Sequence, residues 1–351
     1  MWFLNLLLLI LILGIIILIH EFGHFIFAKK SNVHIYEFAI GMGPVLFQKK
    51  GKDGILYSFR AFPIGGYVQM AGEVYEDADL KKIPKSKFMC NRPWYQRVSI
   101  IVAGVVFNFI LALTLLFVMA LIWGSPTSTP IIGEVVENMP IAEAGIVAGD
   151  IITAINDKDV KTWDKAQLLL VMKSKNDVYK ITVKHQDGST DTYDVIPEVV
   201  KDEKDNESKF FGVSIKQEIN KGFVPSVKYA FHKFGSLVET MWMVVSGLFT
   251  GKLSLSSLSG PVGIYQVVGD SAKAGLSQVV YLIAFLSLNV GFINILPFPA
   301  FDGGRLAFML IEKVKGSPVD SKVEGMFHMV GFILLILLML FITWQDISRL
   351  F

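Results

Sequence analysis

His20-Glu21-Phe22-Gly23-His24 is the segment whose residue types and spacing most directly imply chemistry. On a helix of 3.6 residues per turn, positions i and i+4 share a face, so both imidazoles can reach one metal ion. The glutamate between them stands where it can take a proton from a metal-activated water. Zinc suits this set, because a catalytic zinc takes three protein ligands and keeps a fourth position for water. The third ligand must be a histidine or an acidic residue at similar depth. The run Asn294-Ile295-Leu296-Pro297-Phe298-Pro299-Ala300-Phe301-Asp302-Gly303-Gly304-Arg305 offers Asp302. Its prolines must break a helix, and its glycines let backbone approach closely.

The elements that carry these residues are written for a membrane. The chain has 351 residues, 52% hydrophobic and 18% charged, with a mean hydropathy of +0.51. Soluble domains run nearer ~25% charged. A net charge of +2 gives no reason to expect nucleic acid, and a single cysteine allows no internal disulfide. A bilayer core of ~30 Å needs roughly 20 apolar residues in a helix. Four stretches qualify: Trp2 to Ile19, Val98 to Trp123, Val279 to Leu296 and Phe327 to Thr343. The first lacks a basic n-region and a small-x-small cleavage site, so it reads as a retained span rather than a signal peptide. His20, Glu21 and His24 continue it, and ionisable groups inside the membrane are expensive and point to function. A fifth stretch, Val227 to Phe249, carries Lys228, His232, Lys233 and Glu239. It reads as an amphipathic helix at the membrane surface.

Residues 25–97 hold 12 Lys/Arg against 6 Asp/Glu, whereas residues 124–228 hold 13 against 17. The short basic loop should be cytoplasmic, which puts both termini and the 124–278 segment outside. Spans one and three then both run inward, so Asp302 emerges at the face and depth of His20 and His24. Within 33–70 the pattern alternates as strands over His34 to Ile40, Val45 to Lys49, Ile55 to Phe62 and Tyr67 to Met70, punctuated by Gly41-Met42-Gly43-Pro44, Lys52-Asp53-Gly54 and Pro63-Ile64-Gly65-Gly66. Strands apolar on both faces suit a hairpin that dips into the membrane and is shielded by protein. Residues 130–217 read as the soluble domain, with a strand at Ile131–Val136, the apolar segment Gly149 to Asn156, a helix near Asp164–Lys173, and two strands joined at Asp187-Gly188. The acidic run Asp202 to Glu207 reads as a solvated loop.

Two resemblances add to this. The Pro140-Ile141-Ala142-Glu143-Ala144-Gly145 and Gly149-Asp150-Ile151-Ile152 pattern resembles a PDZ domain of the bacterial protease type. PDZ folds bind extended peptides at a sheet edge. The whole chain resembles the site-2 protease family of intramembrane zinc metalloproteases, most nearly the bacterial regulator-of-sigma-factor type. That likeness rests on His20-Glu21-Phe22-Gly23-His24, the Asn294 to Gly304 motif, Gly41 to Pro44, Tyr67 to Gly72, Asn108 and Leu258 to Ile264. It implies His20, His24 and Asp302 as ligands of Zn2+, Glu21 as catalytic base, and Asn294, Pro297, Gly66 and Tyr67 as substrate contacts. It implies substrates that are single-span proteins already cut by another protease, such as anti-sigma factors, or remnant signal peptides. The setting it implies is a bacterial cell membrane, with lipid as the other partner. A zinc transporter would need polar residues in several spans, and spans two and four offer little besides Asn108.

The expectation is therefore a polytopic α-helical membrane protein with four transmembrane helices, a membrane-associated β-hairpin region and one extracytoplasmic PDZ-like α/β domain. Its parts are helix one (1–28), the cytoplasmic β region (29–97), helix two (98–123), the PDZ-like domain (130–217), a surface helix and connector (223–278), helix three (279–305) and helix four (326–344). Arg305 reads as a headgroup anchor, and His34, His185, His232 and His328 as surface or interface residues.

Overall fold

The computed structural model describes residues 2–73, 83–201, 207–216, 218–317 and 319–348. Most of the acidic run at 202–207 lies outside the described residues. The chain divides into two units, one of Met1–Leu115 with Gly260–Trp344 and one of Leu116–Ser259 with Gln345–Phe351.

The first unit holds the apolar helices. Helix α1 (Trp2–Lys30) has no charge before Glu21, yet apart from Phe25 the buried residues form one stripe: Ile12, Ile16, His20, Gly23, His24 and Ala28. Steps of three and four residues keep that stripe on one face. At 1.5 Å per residue its 29 residues reach about 44 Å. It ends at Lys29-Lys30, and Asn32 turns left-handed at φ 54°. Strands β1 (Ile35–Lys50) and β2 (Leu56–Met70) follow as one antiparallel pair. The sequence suggests four strands there. The glycines bend the two long strands without ending them, because Gly41, Gly43 and Gly65 take positive φ and the register shifts around them. Met42, Val45, Leu46, Phe47, Phe59 and Phe62 are exposed along this ribbon. At its base Glu37 is buried, accepting hydrogen bonds from Arg60 (2.8 Å) and Tyr67 (2.8 Å).

Helix α2 (Trp94–Trp123) begins directly after Pro93 and runs across the division between the units. In the second unit, β3 (Ser125–Pro126), β4 (Ile132–Val135), α3 (Pro140–Glu143), β5 (Ile151–Ile155), β6 (Lys158–Asp159) and α4 (Trp163–Val171) precede β7 (Tyr179–Lys184) and β8 (Thr190–Val195). A four-stranded sheet has the order β6-β5-β7-β8. Beyond it, β9 (Glu198–Lys201) pairs with β10 (Glu207–Phe210), β11 (Val213–Ile215) with β4, and β12 (Ile219–Asn220) with β3. The core gathers Ile132, Ile141, Ile152, Ile155, Ile181, Val183 and Tyr179. The Tyr179 hydroxyl donates to the Met172 carbonyl at 2.7 Å, which removes the cost of burying it unpaired. His185 is not a plain surface residue: its Nδ1 lies 2.9 Å from the buried carboxylate of Asp150 and its Nε2 3.3 Å from Asp191.

Helix α5 (Phe223–Phe249) lies against α4, and its charges are used there. Lys233 pairs with Asp164 at 2.6 Å, Glu239 with Lys165 at 2.6 Å, and Ser236 hydrogen-bonds Thr162. Two of the four residues that suggest a membrane-surface helix, Lys233 and Glu239, are therefore paired with α4, while Lys228 and His232 are exposed.

The first unit resumes with α6 (Pro261–Ala274), which the sequence reading leaves as connector. Its Val268 joins Ile12, Ile16 and Leu282 in a buried cluster. Helix α7 (Leu276–Ile295) stops where Leu296, preceding Pro297, is forced to extended backbone at ψ 139°. Helix α8 (Asp302–Lys315) starts five residues after that proline, and α9 (Ser321–Ser348) closes the chain. Among the described residues four helices (α1, α2, α7 and α9) are long and apolar enough to cross a membrane. That count agrees with the sequence reading.

Candidate metal centre

Two helix faces and one loop build the site. Helix α1 presents His20 and His24 one turn apart, both about 8% exposed. Helix α2 runs antiparallel to it and meets the imidazoles with a stripe of its own: Ile100, Gly104 and Asn108, each four residues from the next. His24 Nδ1 lies 2.8 Å from the Ile100 carbonyl oxygen and donates to it, which in the neutral ring leaves Nε2 unprotonated. Asn108, fully buried, reaches His20 Nδ1 at 3.3 Å. A Cβ on Gly104 would run into the ring of each histidine, so the close approach of the two helices requires glycine there. The loop after α7 delivers Asp302 at the first position of α8.

The donors converge. Asp302 Oδ2 lies 3.1 Å from His20 Nε2 and 3.3 Å from His24 Nε2, and the two Nε2 atoms are 3.2 Å apart. Among the described residues this is the one group of three such side chains whose donor atoms lie within 4.8 Å of one another. Four ligands set tetrahedrally about zinc at roughly 2.0–2.1 Å stand about 3.3 Å apart, so three corners of that figure are in place. Asp302 Oδ2 is buried without a hydrogen-bond donor, and so is Asn108 Oδ1. A cation at the centre would answer both oxygens. The carboxylate would gain its counter-charge, and a His20 bound through Nε2 would carry its proton on Nδ1, for which a turned Asn108 amide would supply Oδ1 as acceptor. The residues fit zinc.

A cavity of about 390 Å³ opens on this group. Glu21, Gly66, Tyr67 and Asn294 line it beside His20, His24 and Asp302, as the sequence leads one to expect. Gly66 passes directly over the Glu21 side chain, where a Cβ would sit 3.3 Å from Glu21 Cγ. Pro297 is not brought in: it is exposed and absent from the lining, because its place is to end α7. Arg305 is no headgroup anchor. One turn after Asp302, it lines the cavity and forms an ion pair with Glu73. His328 also departs from the bland reading, accepting the Ala300 N–H on Nδ1 at 2.9 Å. The supporting roles of Ile100 and Gly104 are missed in the sequence. The available signal was Asn108, an amide inside an apolar span with a glycine one turn before it.

Comparison with known proteins gives a consistent result. The description of peptidase family M50 matches residues 8–338. The regulator of sigma-W protease RasP of Bacillus subtilis is 32% identical over 417 aligned residues, covering 97% of this chain and 98% of its own. The zinc metalloprotease RasP of Bacillus licheniformis is 30% identical over 417 residues with the same coverage. A Clostridium acetobutylicum protein is 36% identical over 347 residues, covering 99% of this chain and 98% of its own.

Proposed function

The chain belongs to peptidase family M50, the site-2-type zinc metalloproteases, and on that premise we propose that it cuts the membrane-spanning segments of single-span proteins with Glu21 as base and His20, His24 and Asp302 as zinc ligands. The observation that carries the assignment is the convergence of those three donors, within 4.8 Å of one another, beside Glu21 in one cavity of the apolar-helix unit. Zinc held there supplies Lewis-acid polarisation of a carbonyl and brings the pKa of a water toward ~7.

The chain's own groups do the rest. The Glu21 carboxylate accepts a proton from the attacking water and passes it to the amide nitrogen as the C–N bond breaks, so the amine leaves neutral. The Asn294 side-chain amide donates to the oxyanion that develops on the scissile carbonyl. A helical substrate hides its carbonyls in internal hydrogen bonds, so it must unwind before attack. The rim of β2 at Gly66 and Tyr67 supplies backbone for the unwound strand to pair with. One of the similar proteins is named as a regulator of sigma-W. Anti-sigma factors and remnant signal peptides, already shortened outside the membrane, are the proposed substrates. The 25–97 segment is assigned to the cytoplasm from its 12 Lys/Arg against 6 Asp/Glu, and the PDZ-like domain at 130–217 to the outside.

The test pairs metal content with membrane proteomics. Glu21→Gln should hold about one zinc per chain yet let small single-span proteins accumulate. His24→Ala and Asp302→Ala should each lose most of the metal. Full proteolysis by Glu21→Gln would sink the assignment of the base.

A further inference from the structure

Seven non-glycine residues among those described take positive φ, and six of them are Asn or Asp. Those two side chains tolerate the left-handed region because they bond to nearby backbone. The seventh is Ala300, at φ 73°. Alanine has no such bond to make, so something else must hold the turn. It stands two residues before Asp302, in the loop that carries this ligand from the end of α7 to the start of α8.

The holder is on α9. The Ala300 N–H donates to His328 Nδ1 at 2.9 Å. One turn along the same helix, Gly331 leaves room for Pro299, whose ring occupies the place of a Cβ. The ring of His328 is braced by Phe308, with centroids 6.0 Å apart. Its other nitrogen, Nε2, is buried without a partner. With Nδ1 accepting, Nε2 must carry the proton, so the ring is oriented for Ala300 at the expense of its own second nitrogen. Downstream, the Gly304 N–H bonds back to the Phe301 carbonyl at 3.0 Å, coupling the turn to the first residues of α8.

We propose that His328 is a positioning residue for the metal centre: by accepting the Ala300 N–H it holds a left-handed turn that aims Asp302 at His20 and His24. This rests on the reading of Asp302 as the third zinc ligand. His328 touches neither metal nor substrate and acts only through the loop.

The test uses the full chain in detergent, with zinc retention against a competing chelator and amide exchange of segment 296–304 in the zinc-free protein as readouts. His328→Phe keeps a ring and removes the acceptor. It should weaken zinc retention roughly tenfold or more, as loss of an outer-sphere partner does, and speed exchange of the segment. His328→Asn, whose Oδ1 replaces Nδ1, should stay within a few-fold of the native protein. Adding Ala300→Gly to His328→Phe should recover most of the loss, since glycine takes positive φ without a Cβ penalty. Ala300→Val, which strains the same turn with His328 intact, should also weaken zinc. Native zinc retention in His328→Phe or in Ala300→Val overturns the proposal, and so does a loss that neither Asn nor Gly recovers. Should His328→Phe fail to accumulate, Ala300→Val decides alone. Full zinc in Asp302→Ala defeats the ligand assignment instead, whatever the His328 variants do.

Discussion

At the scale of single residues, the proposed ligands announce themselves and their supports do not. His20, Glu21, His24 and Asp302 were legible because metal chemistry restricts residue type and helix geometry restricts spacing. Asn294, Gly66 and Tyr67 were legible only through family resemblance, and the structure brings all three to the cavity. Gly104 and the Ile100 carbonyl were not legible. A backbone carbonyl leaves no mark in a sequence, and a glycine in an apolar span reads as packing until the facing helix is known. The stripe Ile100, Gly104, Asn108 yields a graded prediction. Asn108→Ala removes the one side-chain partner of His20 Nδ1 and should weaken zinc retention about 10–100-fold with the helices intact. Gly104→Val, which drives side-chain atoms into both imidazoles, should abolish retention. Equal, native-like zinc affinity in both variants under chelator competition would show that α2 does not shape the site.

Among the elements, long apolar helices were the easiest to read and β geometry the hardest. The four spans follow from length and composition alone, and α7 ends where the rule for residues before proline says it must. The hairpin was misread as four strands because glycine marks a bend and an end alike. For helix α5 the pairing of its charges was hidden from the sequence for an electrostatic reason. Lys233 and Glu239 look costly in isolation, but their partners Asp164 and Lys165 lie about 70 residues earlier in sequence. His185 in the second unit was passed over for the same reason, and it carries a pH dependence. The Asp150 carboxylate, hydrogen-bonded to Nδ1, raises its pKa above the usual histidine value. A folded-state pKa above the unfolded one means that protonation stabilises the fold. The contribution is complete below the unfolded value of about 6.5 and fades as pH rises through the folded value. Exchange of the β7 amides, corrected for the intrinsic rate, should therefore quicken as pH rises from 6 to 8. The change should be smaller in His185→Gln. An identical pH response in both proteins would remove His185 from the account.

The whole molecule is best tested by its sidedness. Lys52 lies at the exposed tip between β1 and β2, and Ser189 at the exposed turn between β7 and β8. In a Cys90→Ser background, Lys52→Cys should react only with a thiol reagent that enters intact cells, and Ser189→Cys with an impermeant one as well. Labelling of position 52 from outside would reverse the orientation drawn from the loop charges. The order of the ligands along the chain has a consequence for how the protein is made. His24 and Asp302 are separated by 302 − 24 = 278 positions. At roughly 5–20 residues per second of synthesis, about 15–55 s pass between the translation of one and of the other. Throughout that interval the nascent first helix displays two imidazoles and a glutamate without Asp302, the proposed third ligand. Translation order thus delays the peptidase: a chain halted or degraded before its third apolar helix would leave the ribosome as a membrane anchor without a blade.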